Sequence, residues 1–146
     1  MDRKRQRLMV VAALVGLVFV LAAFSVWAQA GPTLTITSPK SGENLPGDAV
    51  TVTWASTGVK IVPAKDAKFR EEAHFHVFLD REDFRPGVEI PRDMEKEGTY
   101  HTAANKLELK GLKPGAHKVI VVLSYDNHVP WDPLVTARAT FNTGVK

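Results

Sequence analysis

The chain has 146 residues, with 19 Lys and Arg against 16 Asp and Glu, and no cysteine. The lack of cysteine excludes disulfides, thiolate metal sites, a catalytic thiol and a lipid anchor on a cleavage-site Cys. Four of the basic residues and one acidic residue fall within positions 1–30, which leaves 15 against 15 over residues 31–146 and removes the charge argument for a nucleic-acid partner.

The first thirty residues form their own class. Asp2-Arg3-Lys4-Arg5-Gln6-Arg7 is basic, residues 8–28 are apolar apart from Gly16 and Ser25, and Ala28-Gln29-Ala30 supplies small residues at the exit. This pattern predicts a signal peptide over 1–30 or, if uncleaved, an N-terminal membrane anchor. Either way the rest of the chain is expected in the periplasm or outside the cell, touching a membrane only through that segment. Residues 31–146 suffice for one domain and are too few for two.

From there the chain reads as strands and turns. Residues 33–37 alternate polar and apolar, the period of a half-buried strand. Residues 38–48 are dense in Pro, Gly, Asn, Ser and Asp and predict a turn region. Residues 49–55 form a second alternating strand, with Val50, Val52 and Trp54 on one face, and a short strand follows near 59–62. The strongest strand is 73–80, Ala-His-Phe-His-Val-Phe-Leu-Asp. Residues 81–104, charged and broken by Pro86-Gly87 and Pro91, predict a long loop, and 105–110 a strand entering the turn 111–115. Residues 117–125, β-branched and apolar, predict a central strand buried on both faces. A second loop, 126–133, precedes a final alternating strand over 134–142. With no helical period in any segment, six to seven short strands predict an all-β sandwich.

The run from Leu34 to Trp54 resembles the opening of secreted immunoglobulin-like and fibronectin-III-like modules: a strand, then Ser38-Pro39-Lys40-Ser41-Gly42, then a Val-x-Val-x-Trp strand. The resemblance implies a fold and no function.

All five histidines lie between positions 74 and 128. His74 and His76 are two apart in one strand, so they share a face with Cα atoms roughly 6.5–7 Å apart, and the opposite face, Ala73, Phe75, Val77 and Leu79, is the natural core side. Asp80 continues the histidine face by the same alternation. His117 begins the central strand and His128 follows its far end, about 30 Å away along a straight strand, so both join one site only if the loop after Tyr125 folds back. The expected ligands are therefore His74 and His76 with one or two others, His128 or His101 first, then His117, with Asp80 as a ligand or a supporting carboxylate. Imidazole and carboxylate donors without thiolate, and a single methionine (Met94) after residue 30, point to Cu(II) or Zn(II).

Three resemblances bear on function. His74-Phe-His76-Val-Phe-Leu-Asp80, Leu112-Lys-Pro-Gly-Ala-His117 and Tyr125-Asp126-Asn-His128 are similar to a family of short secreted bacterial His-rich β-sandwich domains without an assigned activity. Ser124-Tyr125-Asp126-Asn127-His128 resembles the corresponding loop of the periplasmic copper-resistance, CopC-like, sandwich proteins; their N-terminal copper-ligating histidine and methionine-rich stretch have no counterpart here. His74-x-His76 with Asp80 and Gly87 resembles the first motif of cupins, which implies a jelly-roll metalloenzyme. The leading expectation is a non-catalytic extracytoplasmic metal-binding or accessory protein, beside a membrane complex or another extracytoplasmic protein. The alternatives are a metal-free protein- or glycan-binding module using loops 81–104 and 126–133, with Trp131 as its aromatic, and a cupin-like enzyme.

Overall fold

A computed structural model of the chain describes residues 31–66, 72–91 and 97–145. The predicted leader, together with Met94, lies outside the described residues. Among the described residues, no helix is long and apolar enough to cross a membrane.

Most of the strands form where alternation or β-branched runs predict them. They are β1 (Thr33–Ser38), β2 (Glu43–Asn44), β3 (Val50–Thr57), β4 (Lys60–Ile61), β5 (Glu72–Leu79), β6 (Thr99–Thr102), β7 (Lys106–Leu109), β8 (Gly115–Tyr125) and β9 (Thr136–Thr143). One sheet has the order β1-β3-β7 and the other β2-β9-β8-β5-β4, with β6 also paired to β5. If the two-residue strands and β6 are set aside, the first, second and fourth of the six remaining strands (β1, β3, β7) lie in one sheet, and the third, fifth and sixth (β5, β8, β9) in the other. That is the A-B-E and C-F-G division of an immunoglobulin-like sandwich.

Between the sheets, Leu34, Val50, Val52, Trp54 and Leu109 meet Ala73, Phe75, Val77, Val119, Val121, Leu123, Ala139 and Phe141 in one buried cluster. Trp54 packs edge-to-face on Phe75 with centroids 5.5 Å apart. Trp54 is core, as its alternation with Val50 and Val52 implies.

The larger sheet also buries the centre of its outer face. Phe78, Ile120 and Val122 project outward and are covered by Ile90 and Phe84 from the segment after β5. Every residue from Glu72 to Phe78 and from Val119 to Ser124 is buried. The expectation for β8 is met, and the histidine face of β5, opposite the predicted core side, is buried as well. Alternation within one strand reports one apolar face and is silent on a loop that crosses the other.

One strand falls inside the predicted loop 81–104. β6 reads Thr-Tyr-His-Thr, a short β-prone run hidden among charged neighbours, and pairs antiparallel with β5. Gly98 leads into it with φ of 80°; a Cβ there would stand 2.8 Å from the Leu79 carbonyl oxygen, so the chain approaches β5 closely only with glycine.

Candidate metal centre

Register explains the site. On β5, His74 and His76 point to the outer face of the larger sheet. His76 lies directly opposite His101 of β6, and cross-strand partners in an antiparallel pair share a face. On the other side His74 faces Ser124 of β8. Three neighbouring strands, β6, β5 and β8, thereby deliver three imidazoles and one hydroxyl to one patch.

The fourth imidazole comes from a reversal of the chain. After β8 the His128 N–H donates to the Tyr125 carbonyl (3.0 Å), and the Tyr125 N–H donates to the Val129 carbonyl (2.9 Å). The Trp131 N–H then donates to Leu123 (2.9 Å), and Pro130 bridges Ser124, so the chain returns along the end of β8. His128 takes a left-handed φ of 63° in this turn, a region in which histidine is among the better-tolerated residues. The Ile90 N–H donates to the His128 carbonyl (2.9 Å), tying the turn to the segment that covers the outer face. The loop after Tyr125 thus folds back, and it brings His128 to His74 and His76 without joining it to His117.

His74, His76, His101 and His128 each offer a ring nitrogen, and these atoms all lie within 4.8 Å of one another. The six ring-centroid separations run from 4.5 to 5.3 Å. Four points with six near-equal separations make a tetrahedron; a square would have diagonals about 1.4-fold longer than its edges. With Zn–N bonds of about 2.0–2.1 Å, a tetrahedral four-histidine site places ring centroids roughly 5.2 Å apart, so the donor set would fit such an ion once the rings turn one nitrogen each toward the centre and move slightly apart.

His76 Nε2 lies 3.2 Å from His128 Nδ1, while His76 Nδ1 lies 3.1 Å from Ser124 Oγ. With Nδ1–H donating to Ser124, the Nε2 lone pair faces the cluster. His76 is completely buried. Burial, and then the neighbouring His74, His101 and His128, push its pKa down to about 2, so the ring is neutral at physiological pH, the form that binds metals. His74 and His128 are also buried; His101 is exposed.

The other two sequence candidates lie elsewhere. Asp80 follows the end of β5 with φ of 57°, which breaks the alternation that would have kept it on the histidine face. Its Oδ2 lies 2.7 Å from His117 Nδ1, and its Oδ1 accepts the Lys118 N–H at 2.8 Å. His117 Nε2 contacts the Lys113 carbonyl oxygen at 2.8 Å and Thr143 Oγ1 at 3.1 Å. Burial disfavours its charged form, but the Asp80 carboxylate and the Lys113 carbonyl outweigh that and raise its pKa. His117 and Asp80 are thus a clamp at the opposite end of β5 and β8.

Ser124 was missed as a site residue. The signal was present: a lone hydroxyl in the run Val119–Ser124, two residues on from Val122 and hence on the outer face. Trp131 stacks on Tyr125 with centroids 4.4 Å apart and packs against the core cluster.

No protein-family model and no curated protein matches the chain. Among solved structures it is similar to fibronectin(III)-like modules of Clostridium thermocellum CbhA, at 14% identity over 77% of this chain and 100% of that one, with a TM-score of 0.43. A human PKD domain is similar at 16% identity over 83% and 89%, with a TM-score of 0.38. A CARDB domain from Pyrococcus furiosus, in complex with di-metal ions, is similar at 10% identity over 82% and 97%, with a TM-score of 0.40.

Proposed function

We propose that this domain binds one divalent transition-metal ion, Zn(II) before Cu(II), through His74, His76, His101 and His128. The observation that carries the reading is the near-equal spacing of the four imidazoles. The tetrahedral disposition favours Zn(II) over the tetragonal preference of Cu(II). Four protein nitrogens complete a tetrahedral set, whereas a catalytic zinc keeps one position for water or substrate, so the reading is binding and not turnover. The cupin resemblance of His74-x-His76 comes without the jelly-roll barrel it implies. In the cell, such a domain serves extracytoplasmic metal handling, or acts as an accessory beside a membrane complex or another extracytoplasmic protein.

Titration of the metal-free protein with Zn(II) and Cu(II) tests this. One tight site is expected in the wild type and none in His74→Ala/His76→Ala, with circular dichroism confirming that the variant is folded. A folded double variant that binds as the wild type does would refute the assignment.

A second reading has its own observation. The two predicted loops meet: Pro86, Gly87, Tyr125, Asp126, Asn127, Val129, Pro130 and Asp132 line a cleft of about 540 Å³. A protein or glycan partner held there would be lost with Trp131→Ala, which removes the support behind Tyr125, and unaffected by His101→Ala.

A further inference from the structure

Within the metal reading, and resting on it, the four ligands differ in how they are held. His74 and His76 stand on β5, paired with β8 along its length and completely buried. His128, 2% exposed, is fixed on both sides by backbone hydrogen bonds, through its N–H to Tyr125 and its carbonyl to Ile90. His101 stands on a four-residue strand that, among the described residues, pairs only with β5, and it is exposed. His101 also lines a cavity of about 340 Å³, with Pro63, Ala64, Lys65, Thr102 and Ala103.

Three ligands therefore cannot leave the centre without opening the outer face or the turn after β8. The fourth can swing toward solvent while β5 and β8 stay in place. We infer that His101 is the exchangeable ligand: the ion enters and leaves past it, and an incoming neutral nitrogen donor, such as a histidine side chain of a delivering or receiving protein, takes its coordination position. The exchange needs no redox step and no bond other than metal–nitrogen bonds; one imidazole leaves as another arrives. The cavity beside His101 provides room for the arriving ring. The centre is then built for handover of its ion, with His74, His76 and His128 as the fixed part.

Co(II) is a suitable probe because its visible spectrum reports ligand number and type. The untagged protein lacking residues 1–30 carries the whole sandwich and is loaded with Co(II), alongside His101→Ala and His76→Ala. In His101→Ala, release of Co(II) to EDTA is expected to be faster by on the order of tenfold, since affinity changes of this kind appear mainly in the off-rate. Added imidazole is expected to restore the wild-type spectrum and to slow release. In His76→Ala the vacated position is buried, and imidazole is expected to have no effect. If the wild type binds Co(II) but His101→Ala releases it at the wild-type rate, or imidazole neither changes the spectrum nor restores lost binding, the exchange role is refuted and the metal reading stands. If the wild type takes up no Co(II), Zn(II) or Cu(II), both fall together.

Discussion

His128 combines two demands in one residue: it offers a ring nitrogen to the histidine cluster and it occupies a left-handed turn position with φ of 63°. Asparagine also tolerates that backbone, so His128→Asn is expected to keep the fold and the thermal transition of the metal-free protein while weakening metal binding. Calorimetric titration beside a thermal melt separates the two effects. Ser124 acts one step further out: with its Oγ accepting a hydrogen bond from His76 Nδ1–H, it fixes which ring nitrogen faces the cluster. Ser124→Ala is expected to reduce metal affinity by about 10–100-fold, the usual cost of removing a hydrogen-bond partner from a ligating imidazole. His117 belongs to the fold and not to the centre, and its effect is on pH dependence. Its folded-state pKa is raised above 6.5, so its stabilising contribution is fully present below pH 6.5 and is lost as pH rises through the folded value. The stability difference between the wild type and His117→Leu, measured by urea unfolding, should therefore shrink as pH rises through that value. A constant or growing difference would mean that His117 is not held as an imidazolium.

At the scale of elements, β5 and β8 are the two strands buried on both faces, and the outer face is held down by a loop. Ile90 is 2% exposed against Phe78, Ile120 and Val122, and its N–H holds the His128 turn. Ile90→Ala is expected to cost about 2–4 kcal/mol of stability, read from the urea midpoint, through lost contacts and the cavity left behind. What could be read from the sequence follows from this division. The inner face of β5 and the shared face of His74 and His76 derive from local alternation, and the double-sided burial of β8 from an unbroken apolar run; both signals are visible in a single segment. The covering of Phe78, Ile120 and Val122 on the outer face by Ile90 and Phe84 depends on where a loop without a period travels, and nothing local encodes that. β6 escaped for a related reason: four residues are too few to display a period, although they set His101 opposite His76. Asp80 illustrates the converse error, since extending the alternation one residue past the strand placed its carboxylate on the wrong side of a backbone that had already turned.

Across the whole molecule, the four imidazoles join β5, β6 and the turn after β8, segments separated by up to 54 positions between His74 and His128. The centre exists only when the sandwich is folded, so an ion held there stabilises the folded state by mass action: about 2.7 kcal/mol at a free concentration 100-fold above Kd. For a domain of this size that corresponds to a rise in Tm of about 10 °C. The sandwich has no disulfide to support it and rests on its core, so such a shift would be a large share of its thermal margin. The most direct measurement is the metal content of residues 31–146, purified without a tag so that no added histidines bind ions, and then retitrated with Zn(II) and Cu(II). The account predicts one equivalent of ion per chain, lost in His74→Ala/His76→Ala. Protein that contains no metal and takes up neither ion at micromolar concentration would contradict it.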